Sequence, residues 1–177
     1  AGNSRAGFSG DGGPAVNAQL NYPQGLALDS AGNLYIADSQ NNRVRMVTRD
    51  GIIQTFAGNG FPSFGGGPGN YNDGGPATNG NLYLPMGVAA DKAGNVYIAD
   101  TGDNLIRKVT IDGIINTIAG DSFPGFFDKE GGNALNSEFN KPSDVAVDSS
   151  GNLYVADTTN NVVRKITPDL GISTYAG

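Results

Sequence analysis

Cysteine, histidine and tryptophan are all missing from this chain of 177 residues. The absence of cysteine excludes disulfides, thiolate metal sites and thiol nucleophiles together. The absence of histidine removes the commonest metal ligand and the commonest general base near neutral pH. Ser-His-Asp, Cys-His and H-E-x-x-H arrangements therefore cannot be assembled. Positive charge is also scarce: 11 Lys and Arg stand against 17 Asp and Glu, a net charge of −6. A phosphate backbone attracts basic surfaces, so nucleic acid is not an expected partner. No run approaches the roughly 18 apolar residues of a membrane span, and none is predicted. The chain opens Ala1-Gly2 with no secretory leader and no initiator methionine, the expected start of a processed or excised piece.

Glycine is abundant instead, 28 residues with 9 prolines and no G-X-Y period. That composition predicts many turns, not a collagen helix. The turns punctuate a repeat. "GNLYIADSQNNRVRMVTRDGIIQTFAG" (32–58) returns as "GNVYIADTGDNLIRKVTIDGIINTIAG" (94–120) and "GNLYVADTTNNVVRKITPDLGISTYAG" (151–177). Pro23, Pro85 and Pro142 open equivalent units, so the spacings are 62 and 57 residues.

Each unit holds four short β-rich runs, in the first copy "GLALD", "LYIAD", "VRMVT" and "IIQTFAG". "DSAGN" (29–33), "DKAGN" (91–95) and "DSSGN" (148–152) supply an Asp and a Gly-Asn for tight hairpins. "RDG" (49–51) and "IDG" (111–113) turn the third run into the fourth, and "PDLG" (168–171) reads as one residue longer. Four strands joined by hairpins, with no helical segment between, predict an antiparallel meander. Several such units predict a β-propeller with one four-stranded blade per unit. Blade boundaries fall at about 1–58, 59–120 and 121–177. Small residues (Gly25 and Ala27, Gly87 and Ala89, Ala146) mark the first strand of each unit, where blades crowd at an axis. Tyr35, Tyr97 and Tyr154 suit the widening wedge farther out.

The units share P-x-G-[VL]-A-x-D-x-x-G-N-[LV]-Y-[IV]-A-D-x-x-x-N-x-[VI]-R-x-[VI], which resembles the NHL repeat of β-propeller blades along essentially the whole chain. The match departs at Asp144, where the pattern prefers Gly, and at Leu105 and Val162, which stand where the first copy has Arg43. The inserts "GFSGDGGPAVNAQL" (7–20), "NYNDGGPATNGNL" (70–82) and "FFDKEGGNALNSEF" (126–139) resemble those of bacterial multi-repeat NHL proteins. The resemblance implies an all-β half of a six-bladed ring. Three blades leave two end faces bare, so a homodimer joining blade 1 of each copy to blade 3 of the other is expected.

Candidate sites follow from the repeat. Asp38, Asp100 and Asp157 close the second strand, and Arg45, Arg107 and Arg164 come seven residues later, a spacing that predicts a structural ion pair in each blade. Asn42, Asn104 and Asn161 lie in the intervening loop, placed for backbone bonding or ligand contact. The long inserts should crown the face that carries those loops. Asp11, Asp73 and Asp128 offer oxygen ligands for Ca²⁺, though without EF-hand spacing. Phe8, Phe61, Phe64, Tyr71, Phe123, Phe126 and Phe127 fall in or near the inserts, to anchor them or to meet a protein or glycan. "GGGPG" (65–69) lacks the helix and lysine of a phosphate loop.

The expected function is a non-catalytic binding or scaffold module that takes a protein, glycan or small ligand on the loop face. An excised or designed half-propeller that self-assembles is the same reading in its plainest form. The NHL resemblance also implies an alternative, a propeller enzyme of the lyase or lactonase type, whose metal sites depend on histidine. No metal or other cofactor is expected apart from that Ca²⁺ option. An acidic, cysteine-free propeller fits a secreted or periplasmic bacterial protein.

Overall fold

A computed structural model describes residues 1–62, 71–126 and 132–177. The first sheet runs β1 (Pro23–Leu28), β2 (Leu34–Asp38), β3 (Arg43–Val47) and β4 (Ile53–Ala57) as an antiparallel meander. The second begins with β5 (Gly75–Pro76), a two-residue strand from the insert. It continues as β6 (Pro85–Ala90), β7 (Val96–Asp100), β8 (Leu105–Val109) and β9 (Ile114–Ala119), with β5 paired to the outer edge of β9. The third is β10 (Pro142–Val147), β11 (Leu153–Asp157), β12 (Val162–Ile166) and β13 (Ile172–Ala176). Innermost strands lie side by side, β1 on β6 and β6 on β10, so the sheets form three consecutive blades and do not close into a ring.

Hairpin chemistry sets each blade's register. Asp29 Oδ1 accepts the amides of Ala31 and Asn33, while Oδ2 accepts Asn33 Nδ2 at 2.8 Å and Tyr35 Oη at 3.1 Å. Asp91 and Asp148 repeat this, with Tyr97 and Tyr154 as their hydroxyl donors. The Tyr that fills the wedge between blades thus also ties down the turn. Burial, with the Asp beside them, pushes the Tyr35 and Tyr97 hydroxyls up to about 12.

Between blades the first strands nearly touch. A Cβ on Gly25 would meet Met86 O at 2.5 Å, and one on Gly87 would meet Asp144 Cα at 2.5 Å. Only a residue without a side chain permits that approach. Asp144 holds the same position in blade 3, exposed, its Oδ1 accepting the Val145 amide at 2.9 Å.

Two inter-blade cores follow from this stacking. Tyr35, Ala37, Val44 and Ala57 of blade 1 meet Val88, Val96, Ile98, Val109 and Ile115 of blade 2, with Ala77 and Leu82 of the insert wedged between. Tyr97, Ala99, Ile106 and Ala119 of blade 2 meet Val145, Leu153, Val155, Ile166 and Ile172 of blade 3 around Ala134 and Phe139. Each blade therefore has a trailing face of Tyr and small residues and a leading face of branched aliphatics. Both faces are covered at each seam, where every buried CH₂ contributes roughly 0.8 kcal/mol.

Two expectations need correction. The turn at 168–171 has no extra residue. Leu170 N bonds Thr167 O as Gly51 N bonds Thr48 O, so Leu170 occupies the turn glycine's place, with φ +65°. Its side chain packs on the blade 3 core, which offsets the left-handed backbone. The inserts, expected to crown one face, are also built into the rim. Pro14 bridges Ile52, β5 pairs β9, and Asn133 bridges Gly171, so each extends the outer edge of the blade that follows it.

Candidate functional site

The first two inserts each fold around one buried arginine. Arg107 has no exposed side-chain surface; its Nη1 donates to Asp100 Oδ2 at 3.2 Å and to Asn81 O at 2.9 Å. Its Nη2 donates to Asp73 Oδ1 at 2.6 Å and Tyr71 O at 3.1 Å. Arg45 does the same with Asp38 at 3.4 Å, Gln19 O, Ser9 O and Asp11, and Thr55 Oγ1 binds the second Asp11 oxygen at 2.7 Å. Arg164 Nη1 lies 3.7 Å from Asp157 Oδ2. One guanidinium thus bridges the end of the second strand and both ends of the insert. The planar fork suits that task, since it donates in several fixed directions at once.

Asp11 and Asp73 are therefore charge partners of buried arginines, and a dication beside them would face the guanidinium. Asp128 lies outside the described residues, as do Phe64, Phe127 and 65–69. In sequence, Glu130 and not Asp128 stands four residues before Ala134, as Asp11 stands before Ala15 and Asp73 before Ala77.

Burial raises the Asp38 and Asp157 carboxyls, against the bonds from Asn21 and Asn140 amides, the Asn41 and Asn160 side chains and the arginines. Asp100 is pushed up to about 8, first by burial, then by the neighbouring Asp103, against Arg107. Asp103 was not singled out from sequence. It stands where Asn41 and Asn160 donate to Asp38 and Asp157 at 2.8 Å, and it is 3 % exposed. The middle letter of "QNN", "GDN" and "TNN", Asp in the second and Asn in the others, was the available signal.

The aromatics divide. Tyr71 is buried over Arg107, and Phe8 lies over Arg43 at 3.8 Å and over Arg45 at 4.8 Å. Phe126 lies over Arg164 at 5.3 Å. Phe61 and Phe123 are exposed, each with its amide donating to the side chain two residues before it.

Asn42, Asn104 and Asn161 share a left-handed conformation after a short 3₁₀ turn. Asn42 Oδ1 accepts from Leu84 N at 3.0 Å and Asn104 Oδ1 from Lys141 N at 2.9 Å, both across a blade seam. Asn161 is exposed and donates to Thr159 O. Other contacts recur at the two seams. Ser39 Oγ donates to Pro85 O at 2.5 Å and Thr101 Oγ1 to Pro142 O at 2.7 Å. Gly58 N donates to Ala77 O and Gly120 N to Ala134 O, both at 2.9 Å.

These features define stacked propeller blades in which Asp11, Asp38, Asp73 and Asp100 are paired with buried arginines. A family model described as "Teneurin NHL domain" matches residues 4–64 and 56–124, and one described as "NHL repeat" matches 139–166. The chain belongs to the teneurin NHL domain family. It is 32 % identical over 177 residues to Teneurin-m of Drosophila melanogaster, covering 95 % of this chain and 6 % of that protein. The chain thus spans a small fraction of the curated relatives it matches. A structural-genomics protein of unknown function from Bacteroides thetaiotaomicron is 28 % identical with a TM-score of 0.63, covering 76 % of this chain and 32 % of its own. Virginiamycin B lyase from Staphylococcus aureus shares the fold at 19 % identity and TM-score 0.56, covering 86 % of this chain and 40 % of its own. With animal and bacterial proteins both among these relatives, the bacterial multi-repeat form is not singled out. Among the described residues no helix is long and apolar enough to cross a membrane.

Proposed function

We propose that this chain is a non-catalytic propeller module, three blades of a six-bladed ring that a second copy completes. The observation that supports this reading is the exposure of apolar residues on its two end faces at positions buried in the seams. Leu26 and Leu28 on the leading face of blade 1 are 61 % and 67 % exposed, whereas Val88 and Val145, equivalent to Leu26, are buried at seams. Ala176 and Tyr175 at the trailing face of blade 3 are exposed, whereas Ala57 and Ala119 are fully buried. The two bare faces are the two halves of one interface, and burying them together is favourable.

The assembled ring would present Phe61 and Phe123 at the loops after its outer strands, aromatic surface suited to a protein or glycan. The lyase or lactonase alternative draws less support, since Asp11 and Asp73 are already committed to Arg45 and Arg107. Light scattering or sedimentation equilibrium tests the reading. The expected mass is that of two chains across micromolar concentrations, and a single-chain mass up to the solubility limit overturns it.

A further inference from the structure

The two internal seams specify how a blade engages the next, down to individual groups. A hydroxyl on the trailing blade meets the carbonyl of the proline opening the next (Ser39 to Pro85, Thr101 to Pro142). An asparagine meets an amide in the positive-φ residue before that proline (Asn42 to Leu84, Asn104 to Lys141). The glycine after the fourth strand donates to the insert alanine (Gly58 to Ala77, Gly120 to Ala134). A large side chain of the insert, Leu82 or Phe139, fills the remaining space among small residues.

Blade 3 carries the trailing-blade half of every one of these contacts. Thr158, Asn161 and Gly177 are the equivalents of Thr101, Asn104 and Gly120. Where Leu82 and Phe139 sit on the earlier blades, blade 3 has a shallow, open depression lined by Ala156, Val162, Val163, Ala176 and Gly177, with Thr158 and Asn161 at it as well. Blade 1 carries the leading-blade half in Ala15, Leu20, Tyr22 and Pro23, and Tyr22 has a positive φ of 56°, beside 49° and 53° for its counterparts Leu84 and Lys141. One of these groups is already engaged: Gly2 N donates to Ala15 O at 2.9 Å and packs by Leu20.

We infer that, in the ring proposed above, Leu20 of a second copy seats on the Ala156–Val163–Ala176 depression as Leu82 and Phe139 seat at the two internal seams. Asn161 then accepts from the second copy's Tyr22 amide and Thr158 donates to its Pro23 carbonyl. This inference rests on the ring reading. It adds that Asp144, in a glycine's place, keeps the inner strands of this seam farther apart than at the other two.

The test is sedimentation equilibrium on this chain and two variants, each checked for native circular dichroism. Val163→Arg puts charge on the depression of a face that is already open, and dimer affinity falls at least about tenfold, the effect of some 1.4 kcal/mol. Asn161→Ala, at an exposed position, weakens the dimer less. A wild-type chain that stays monomeric overturns the ring itself. A wild-type dimer unaffected by Val163→Arg and Asn161→Ala leaves the ring standing and overturns this seat.

Discussion

Arg107 and Asp100 face each other at 3.2 Å with no solvent-exposed side-chain surface on either. Truncating Arg107 to Leu would leave the buried Asp100 carboxyl without its guanidinium donor and release the Tyr71 and Asp73 contacts. Arg107→Leu is expected to cost at least about 1–3 kcal/mol in urea unfolding, the penalty for a buried polar group left unsatisfied. Arg107→Lys should recover part of that loss, because an ammonium can hold Asp100 but cannot also span the insert.

Asp103 puts a second carboxyl beside Asp100 where the other blades use an amide. Asp103→Asn restores the donor that Asn41 and Asn160 provide, and should stabilise by about 1 kcal/mol, the ordinary net value of a hydrogen bond. The pH dependence has a definite sign. Asp100 is raised from 3.8 to about 8 in the folded state, so the native form binds more protons than the unfolded form between those values. Its contribution is fully present below pH 3.8 and is lost as pH rises through about 8. Thermal melts from pH 5 to 9 should show a falling midpoint in the wild type and a flatter profile in Asp103→Asn.

Asp91 works in the opposite direction. Burial raises its carboxyl, but the bonds from Asn95, Tyr97 and the Ala93 amide outweigh it and hold the group below its ordinary value of 3.8. The stability it supplies is present above that value and disappears as pH falls through the lowered one. Asp91→Ala should cost about 1–3 kcal/mol at neutral pH, the penalty for donors left unsatisfied. Acid titrations followed by circular dichroism should show a weaker dependence below pH 4 than the wild type, whose Asp91 value of 3.8 is lowered.

The innermost strands leave no room for a methyl group at Gly87, 2.5 Å from Asp144 Cα as a Cβ would lie. Gly87→Ala should destabilise by about 1–3 kcal/mol, as overpacking of a fixed backbone contact does. Asp144→Gly makes the same comparison in reverse. It should leave the fold intact and, in the two-copy ring proposed above, tighten the dimer by about tenfold or more, read by sedimentation equilibrium.

The blade was legible in the sequence because its signals are local and repeated. Asp29, Gly32 and Asn33 mark a hairpin by their own backbone chemistry, and seven residues separate Asp38 from Arg45 whatever else the chain does. The other half of the arginine's environment was hidden. Asp11 and Asp73 reach Arg45 and Arg107 from inserts with no period to place them, 34 residues away in sequence. Asn42 and Asn104 look like local loop residues, and their partners Leu84 and Lys141 belong to the next blade. At 168–171 the glycine one place later suggested a longer turn, because Leu170 in a left-handed conformation is an outcome that sequence reasoning discounts.

Gly58 and Gly120 hold the same station at the ends of blades 1 and 2, each with positive φ, and a Cβ on either would lie 2.4 Å from the Asn42 or Asn104 carbonyl oxygen. The step from one blade to the next thus carries a fixed chemical requirement, and a repeat that lost this glycine would lose its hold on the blade that follows.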